Sequence, residues 1–153
     1  MNDQTLQINP DRLLRNTVIK ILTTFGSIIS IGFGIWHFFI PGIWNWYSYI
    51  NNTATELVIA VRAINIFFSL LLVLLGVANI LFVLRKHQDR FSMIVILSIS
   101  TILWATRFIL QIIYPQGSQN SLIHYSMLFI FMLVFVCFII SLFLALNKNK
   151  IPK

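Results

Sequence analysis

Four stretches of this chain, at about 18–40, 57–84, 91–114 and 122–146, are continuously rich in Leu, Ile, Phe and Val and are bounded by charged or turn residues. A hydrocarbon layer about 30 Å thick needs roughly 20 apolar residues in a helix, so each run is long enough to span it. A membrane barrel would instead show alternating segments of about ten residues, which these runs lack. The expected fold class is all-α: an integral membrane four-helix bundle in a single membrane domain over 1–153, with a flexible tail at 1–9 and a basic tail at 147–153.

Composition closes off the soluble alternative. The chain is 58% apolar and 10% charged, against about 45–50% and about 25% for ordinary soluble domains. A soluble fold of 153 residues could not hide that much apolar surface. The single Cys137 allows no internal disulfide, and four acids provide no metal-ligand cluster. No cofactor is therefore expected.

The cations set an expected orientation, because Lys and Arg in short flanks stay on the cytoplasmic side. Nine of the eleven fall on one side: Arg12, Arg15 and Lys20; Arg85, Lys86 and Arg90; Lys148, Lys150 and Lys153. The loops Pro41 to Glu56 and Pro115 to Ser121 have none. Both termini are thus expected to be cytoplasmic, in a cell membrane of the bacterial cytoplasmic type, with those two loops outside. This topology accounts for the net charge of +7 and leaves nothing for a nucleic-acid partner to explain. The expected surroundings are a lipid bilayer, whose anionic headgroups attract such basic flanks.

At the N-terminus, Asn9, Pro10 and Asp11 read as a helix cap, first-turn proline and first-turn acid. Leu13 and Leu14 then follow the interface before the chain enters the bilayer near Val18. The first run is longer than a signal-peptide core and is not followed by a small-residue cleavage site, so it is expected to be retained. After it, Trp44, Trp46, Tyr47 and Tyr49 crowd one outer loop. Such rings prefer the headgroup level, as an aromatic belt or as a lid over an external pocket. Asn51-Asn52-Thr53 matches a three-residue glycosylation sequon, a common pattern.

The polar residues within the spans carry the functional reading. Gly26, Ser30 and Gly34 recur every four residues, allow close helix approach, and are followed on that face by His37. Arg62, Asn65, Ser69, Gly76 and Asn79 form one stripe in the second run, and Ser100, Trp104, Arg107 and Gln111 form another in the third. The fourth run, apart from His124, Ser126, Cys137 and Ser141, serves packing. At 1.5 Å per residue, Arg62 lies about 8 Å and Arg107 about 10 Å inside the outer ends of their spans, at matching depth. Each arginine either snorkels outward or faces inward. If both face inward, Glu56 neutralises only one, leaving a positive charge for loop carbonyls, a lipid phosphate or another anionic or carbonyl group. His87 reads as a solvated loop residue.

The octapeptide Gly34-Ile35-Trp36-His37-Phe38-Phe39-Ile40-Pro41 resembles the G-x-x-H-F-x-x-P pattern that closes the first helix in DoxX-like small bacterial membrane proteins. The resemblance implies a four-helix membrane bundle and, for some members, association with quinone-linked oxidoreductase complexes. It assigns no role to Arg62, Arg107 or Gln111.

The chain has no Gly-rich phosphate loop, H-E-x-x-H, G-x-S-x-G, CxxC or close carboxylate pair. Cys137, in an apolar helix, lacks the positive setting that activates a thiol. An enzyme acting alone is not expected. Two readings remain. In the first, an outward-facing intramembrane pocket binds a lipid headgroup, quinone or small anion. Arg62 and Arg107 hold the charge; His37, Asn65 and Gln111 orient it; Glu56 pairs with one arginine; Trp36, Trp44 and Trp104 wall the site. In the second, the chain is a non-catalytic accessory or assembly subunit whose polar stripes meet a membrane-protein partner. On either reading, cysteines introduced at Ser48 and Ser118 should label with an impermeant thiol reagent in intact cells. One at Ser92 should not, and labelling there would reverse the orientation.

Overall fold

The computed structural model describes residues 10–51, 53–85, 89–117 and 120–147. The expected tail at 1–9, His87 and the lysines at 148–153 lie outside them. Four α-helices account for most of the described chain: α1 (Pro10–Ile43), α2 (Thr55–Leu84), α3 (Arg90–Ile113) and α4 (Ser121–Leu146). A short 3-10 helix, Trp46–Tyr49, follows α1, and there is no strand among the described residues. All four helices are long and apolar enough to cross a membrane. The chain is a small multi-pass membrane protein.

Helix ends follow local chemistry. Asp89 caps α3, its carboxylate accepting from the backbone N–H of Ser92 at 2.9 Å and from the Ser92 hydroxyl at 2.7 Å. The Ser92 hydroxyl and backbone N–H together hold that carboxyl below its usual pKa. Asn120 caps α4 by accepting from the backbone of Leu122 and Ile123. Arg90 donates to the Leu146 carbonyl at 2.8 Å and so closes the C-terminal end of α4. α1 continues past the expected end of its apolar run, through Pro41 to Ile43. Pro41 lacks an N–H, so it gives the His37 carbonyl no donor, but the Trp44 N–H still bonds Ile40 at 2.9 Å.

The bundle is built around α1. α1 packs against α2 and α4, α3 packs on α4, and α2 meets α3 only over a short stretch. Phe33, Leu72, Trp104, Phe131, Val134 and Phe138 are in the buried core. Ile64, Phe67, Ile102 and Phe143 face outward, where a bilayer rather than water solvates them. α1 and α2 approach each other closely at two glycines. A Cβ built on Gly34 would lie 2.9 Å from the Ser69 carbonyl oxygen and from the Leu72 Cβ; one on Gly76 would lie 2.9 Å from the Ser27 carbonyl oxygen. These backbones touch where a side chain would otherwise stand.

Where α2 does meet α3, one polar contact joins them. Asn79 Nδ2 donates to the Ser100 hydroxyl at 2.7 Å, in the half of the helices nearer their 84–90 connection. The end carrying that connection is termed the basic end, and the end carrying the 3-10 helix the aromatic end.

The Gly34 contact makes a sharp prediction. Gly34→Leu should destabilise the folded protein by about 1–3 kcal/mol through overpacking, lowering its thermal midpoint in detergent. Gly32→Ala, which meets nothing within 4 Å, should leave it unchanged or slightly raised.

Candidate functional site

α2 and α3 are separated at the aromatic end by a cavity of about 340 Å³. α1 contributes His37 to its wall, the 3-10 helix Trp46, α2 Val61, Ile64, Asn65 and Phe68, α3 Arg107 and Leu110, and the following turn Gln116. The volume lies within the range of small-molecule sites, and the lining has their usual character, apolar with a few convergent polar groups.

His37 reaches the cavity from the last part of α1, just beyond the Gly34 contact. Ser69 lies 3.3 Å from His37 Nδ1, and its own hydroxyl donates to the Asn65 carbonyl at 2.7 Å. A hydroxyl has one proton. With that proton on the Asn65 carbonyl, the tautomer of a neutral His37 that fits Ser69 is the one protonated at Nδ1. The ring also stands on Phe68, centroids 4.9 Å apart, and has Trp46 6.5 Å away. Asn65 is buried, and its side-chain oxygen has no hydrogen-bond partner.

Arg107 is caged. Its guanidinium carbon stands 4.9 Å from the Phe131 ring centroid, 5.6 Å from Phe68 and 5.9 Å from Phe33, so three other helices each present it an aromatic face. One terminal nitrogen donates to Gln116 Oε1 at 2.5 Å. Nε is buried without a partner. Asp11 and Asp89 belong to the basic end, and Glu56 is exposed at the start of α2. Among the described residues, no carboxylate is paired with this guanidinium.

Gln111 is fully buried but does not line the cavity. Its side-chain amide pairs with the backbone of Gln116, donating to the carbonyl at 3.0 Å and accepting from the N–H at 3.4 Å, and Nε2 lies 3.3 Å from His124 Nδ1. Gly117 follows with φ +71, a left-handed conformation in which an added Cβ would also meet Ile123 at 2.8 Å. Gln111 therefore acts through Gln116, holding the turn that holds Arg107.

The remaining expected site residues fall elsewhere. Arg62 does not join Arg107: it is exposed, and its guanidinium carbon sits 4.8 Å over the Tyr47 ring. Near the membrane end its long stem lets the charged head reach the aromatic loop instead of the bundle interior. Glu56 makes no ion pair with either arginine among the described residues. Trp104 belongs to the core, only 1% exposed, its indole N–H donating to Ser30 at 2.8 Å and its ring packed on Phe33 and Phe131. Trp36 and Trp44 meet edge to face at 6.2 Å, and Trp44 lies 6.3 Å from Trp46. It is Trp46, not the other three tryptophans, that borders the cavity.

Of the nine residues expected at the site, His37, Asn65 and Arg107 converge. Trp46, Phe68, Ser69 and Gln116 complete the arrangement without having been singled out as site residues, although Ser69 lay on the α2 polar stripe. Gln111→Leu should cost about 1–3 kcal/mol by stripping the Gln116 backbone of its partners, and hydrogen exchange at the Gln116 amide should quicken. Unchanged exchange there would mean that the turn stands without the Gln111 amide. No family model, curated protein or solved structure matches the chain.

Proposed function

We propose that this protein binds a small oxyanion or carbonyl-bearing molecule within the membrane, with Arg107 as the charge anchor. The observation that carries this reading is the state of the guanidinium. Three aromatic faces and one glutamine oxygen hold it in place, no carboxylate among the described residues neutralises it, its buried Nε has no partner, and the residue lines a cavity. A charge in that position is costly to insert and is relieved by an acceptor that accompanies it. His37 and the Asn65 side chain orient the ligand, and Gln116 holds the arginine from the turn after α3. A lipid headgroup, a quinone carbonyl and a small anion all satisfy this donor. The resemblance of Gly34 to Pro41 to the DoxX-like pattern supports keeping quinones among them. With the basic flanks on the cytoplasmic side of a bacterial membrane, the site faces outward.

The accessory-subunit reading has less support. Asn79 with Ser100, Trp104 with Ser30, and Ser69 with His37 are bonded to one another within the chain, so these parts of the polar stripes are not held for a partner helix.

Native mass spectrometry of the purified protein tests the proposal. A copurifying small molecule should be present on the wild type and on Arg62→Ala, and its occupancy on Arg107→Ala should fall roughly ten-fold or more, the loss of one charge-assisted hydrogen bond or ion pair. Undiminished occupancy on Arg107→Ala, or none on the wild type, would overturn the reading.

A further inference from the structure

The cavity at Arg107 is not closed toward the bilayer. Along the outer flank of α2 runs an apolar groove lined by Ala63, Ile64, Phe67, Phe68 and Leu71, positions spaced to form one stripe of the helix. Ile64 and Phe68 line the groove and the cavity alike, so the two spaces adjoin across these side chains. The shared wall lies where α2 and α3 have parted, beyond the Asn79–Ser100 contact that holds them together nearer the basic end.

We infer that the ligand of this site is a single-tailed anionic amphiphile, its head at Arg107 and its apolar tail leaving between α2 and α3 along the Ala63–Leu71 groove. The inference rests on the proposed anion site and names its ligand class. Charge complementarity selects the head: the guanidinium has no acid among its described neighbours, and a negative group supplies one. Depth selects its size. Arg107 lies six residues before the end of α3, about 9 Å below it along the helix axis, and the cavity there has only about 340 Å³. A phosphate monoester or a carboxylate fits such a space. Hydrogen bonding favours the phosphate: a monoprotonated phosphate accepts from the Arg107 guanidinium and still has one O–H to donate to a neutral His37 ring, both residues lining the cavity, whereas an ionised carboxylate has none. The apolar groove beside the cavity selects the tail, since an alkyl chain laid along Ala63, Phe67 and Leu71 stays in apolar surroundings while the head is held at Arg107.

The test compares hexadecyl phosphate with inorganic phosphate on the full-length protein in a neutral maltoside detergent, by native mass spectrometry. The variants are Ala63→Trp and Arg107→Ala. Ala63 lines the groove but not the cavity, and it is exposed, so a bulky side chain there fills the tail path and leaves the head site intact. Hexadecyl phosphate should bind the wild type, and its occupancy should fall roughly ten-fold on Ala63→Trp, the effect of a modest overpacking penalty. Binding should be lost from Arg107→Ala, while Ala63→Trp keeps the wild-type response to inorganic phosphate. Equal hexadecyl phosphate binding by Ala63→Trp and wild type, with loss on Arg107→Ala, would overturn the tail path and leave the anion site standing. Binding of hexadecyl phosphate that survives Arg107→Ala would overturn both.

Discussion

The approach of α1 to α2 at Gly34 and Gly76 sets the geometry on which the rest of the bundle depends. With backbone oxygens 2.9 Å from where a Cβ would stand, the two helices have almost no freedom to slide. A shift of one residue would turn each side chain by about 100°, carrying Ser69 away from His37 and Phe68 away from the imidazole face. Because α1 also packs against α4, it commits two of its sides and leaves α3 attached chiefly through α4 and through the Trp104–Ser30 bond. The four helices thus form two arms, α1 with α2 and α3 with α4. The arms meet along α1 and α4, where Phe33 packs on Phe131 and Trp104, and the cavity lies where α2 and α3 stand apart toward the aromatic end.

The two intramembrane arginines show how position decides the fate of a charge. Arg62 is on a lipid-exposed side of α2 near the helix start, and the headgroup level with its tyrosine is within reach of a flexible four-torsion stem, so it leaves the interior. Arg107 points between the arms, where Phe33, Phe68 and Phe131 come from three different helices. An aromatic face lowers the energy of a cation by about 2 kcal/mol or more when it is desolvated, yet it leaves the net charge in place. A carboxylate would have cancelled the charge. The fold instead steadies it, which is the arrangement expected of a group that is completed by something outside the chain.

Much of the architecture was legible because membrane helices are dictated by run length. The small-residue spacing of Gly26, Ser30 and Gly34 and the inward faces of Asn65, Ser69, Asn79, Ser100 and Trp104 follow from counting by threes and fours, and these residues are buried. The site was legible only in part. Helical periodicity gives a direction for Arg62 to within about a third of a turn, and a side chain as long as arginine can defeat that by bending along the surface. Trp104 carried the right chemistry for a pocket wall, but its indole N–H found Ser30 and drew the ring into the core. Gln116 could not be found by periodicity, since it lies in a turn, and only the folded turn places its backbone against Gln111. Trp46 gave the same loop signal as Trp44, and a single left-handed residue, Asn45 at φ 51, separates the two and redirects the chain over His37.

The guanidinium of Arg107 has donors enough to serve the fold and a ligand at once. It carries five N–H bonds in a rigid plane; the Gln116 oxygen takes one from a terminal nitrogen, and the aromatic rings act on the charge of its planar group without consuming any N–H. The unpaired Nε is buried beside its own stem. The turn that fixes the arginine can therefore stay in place whether or not the cavity is filled, because Gln111 braces it from within the bundle. On the proposed reading, selectivity rests on what fits the space beside the guanidinium, whose lining is apolar apart from His37, Asn65, Arg107 and Gln116.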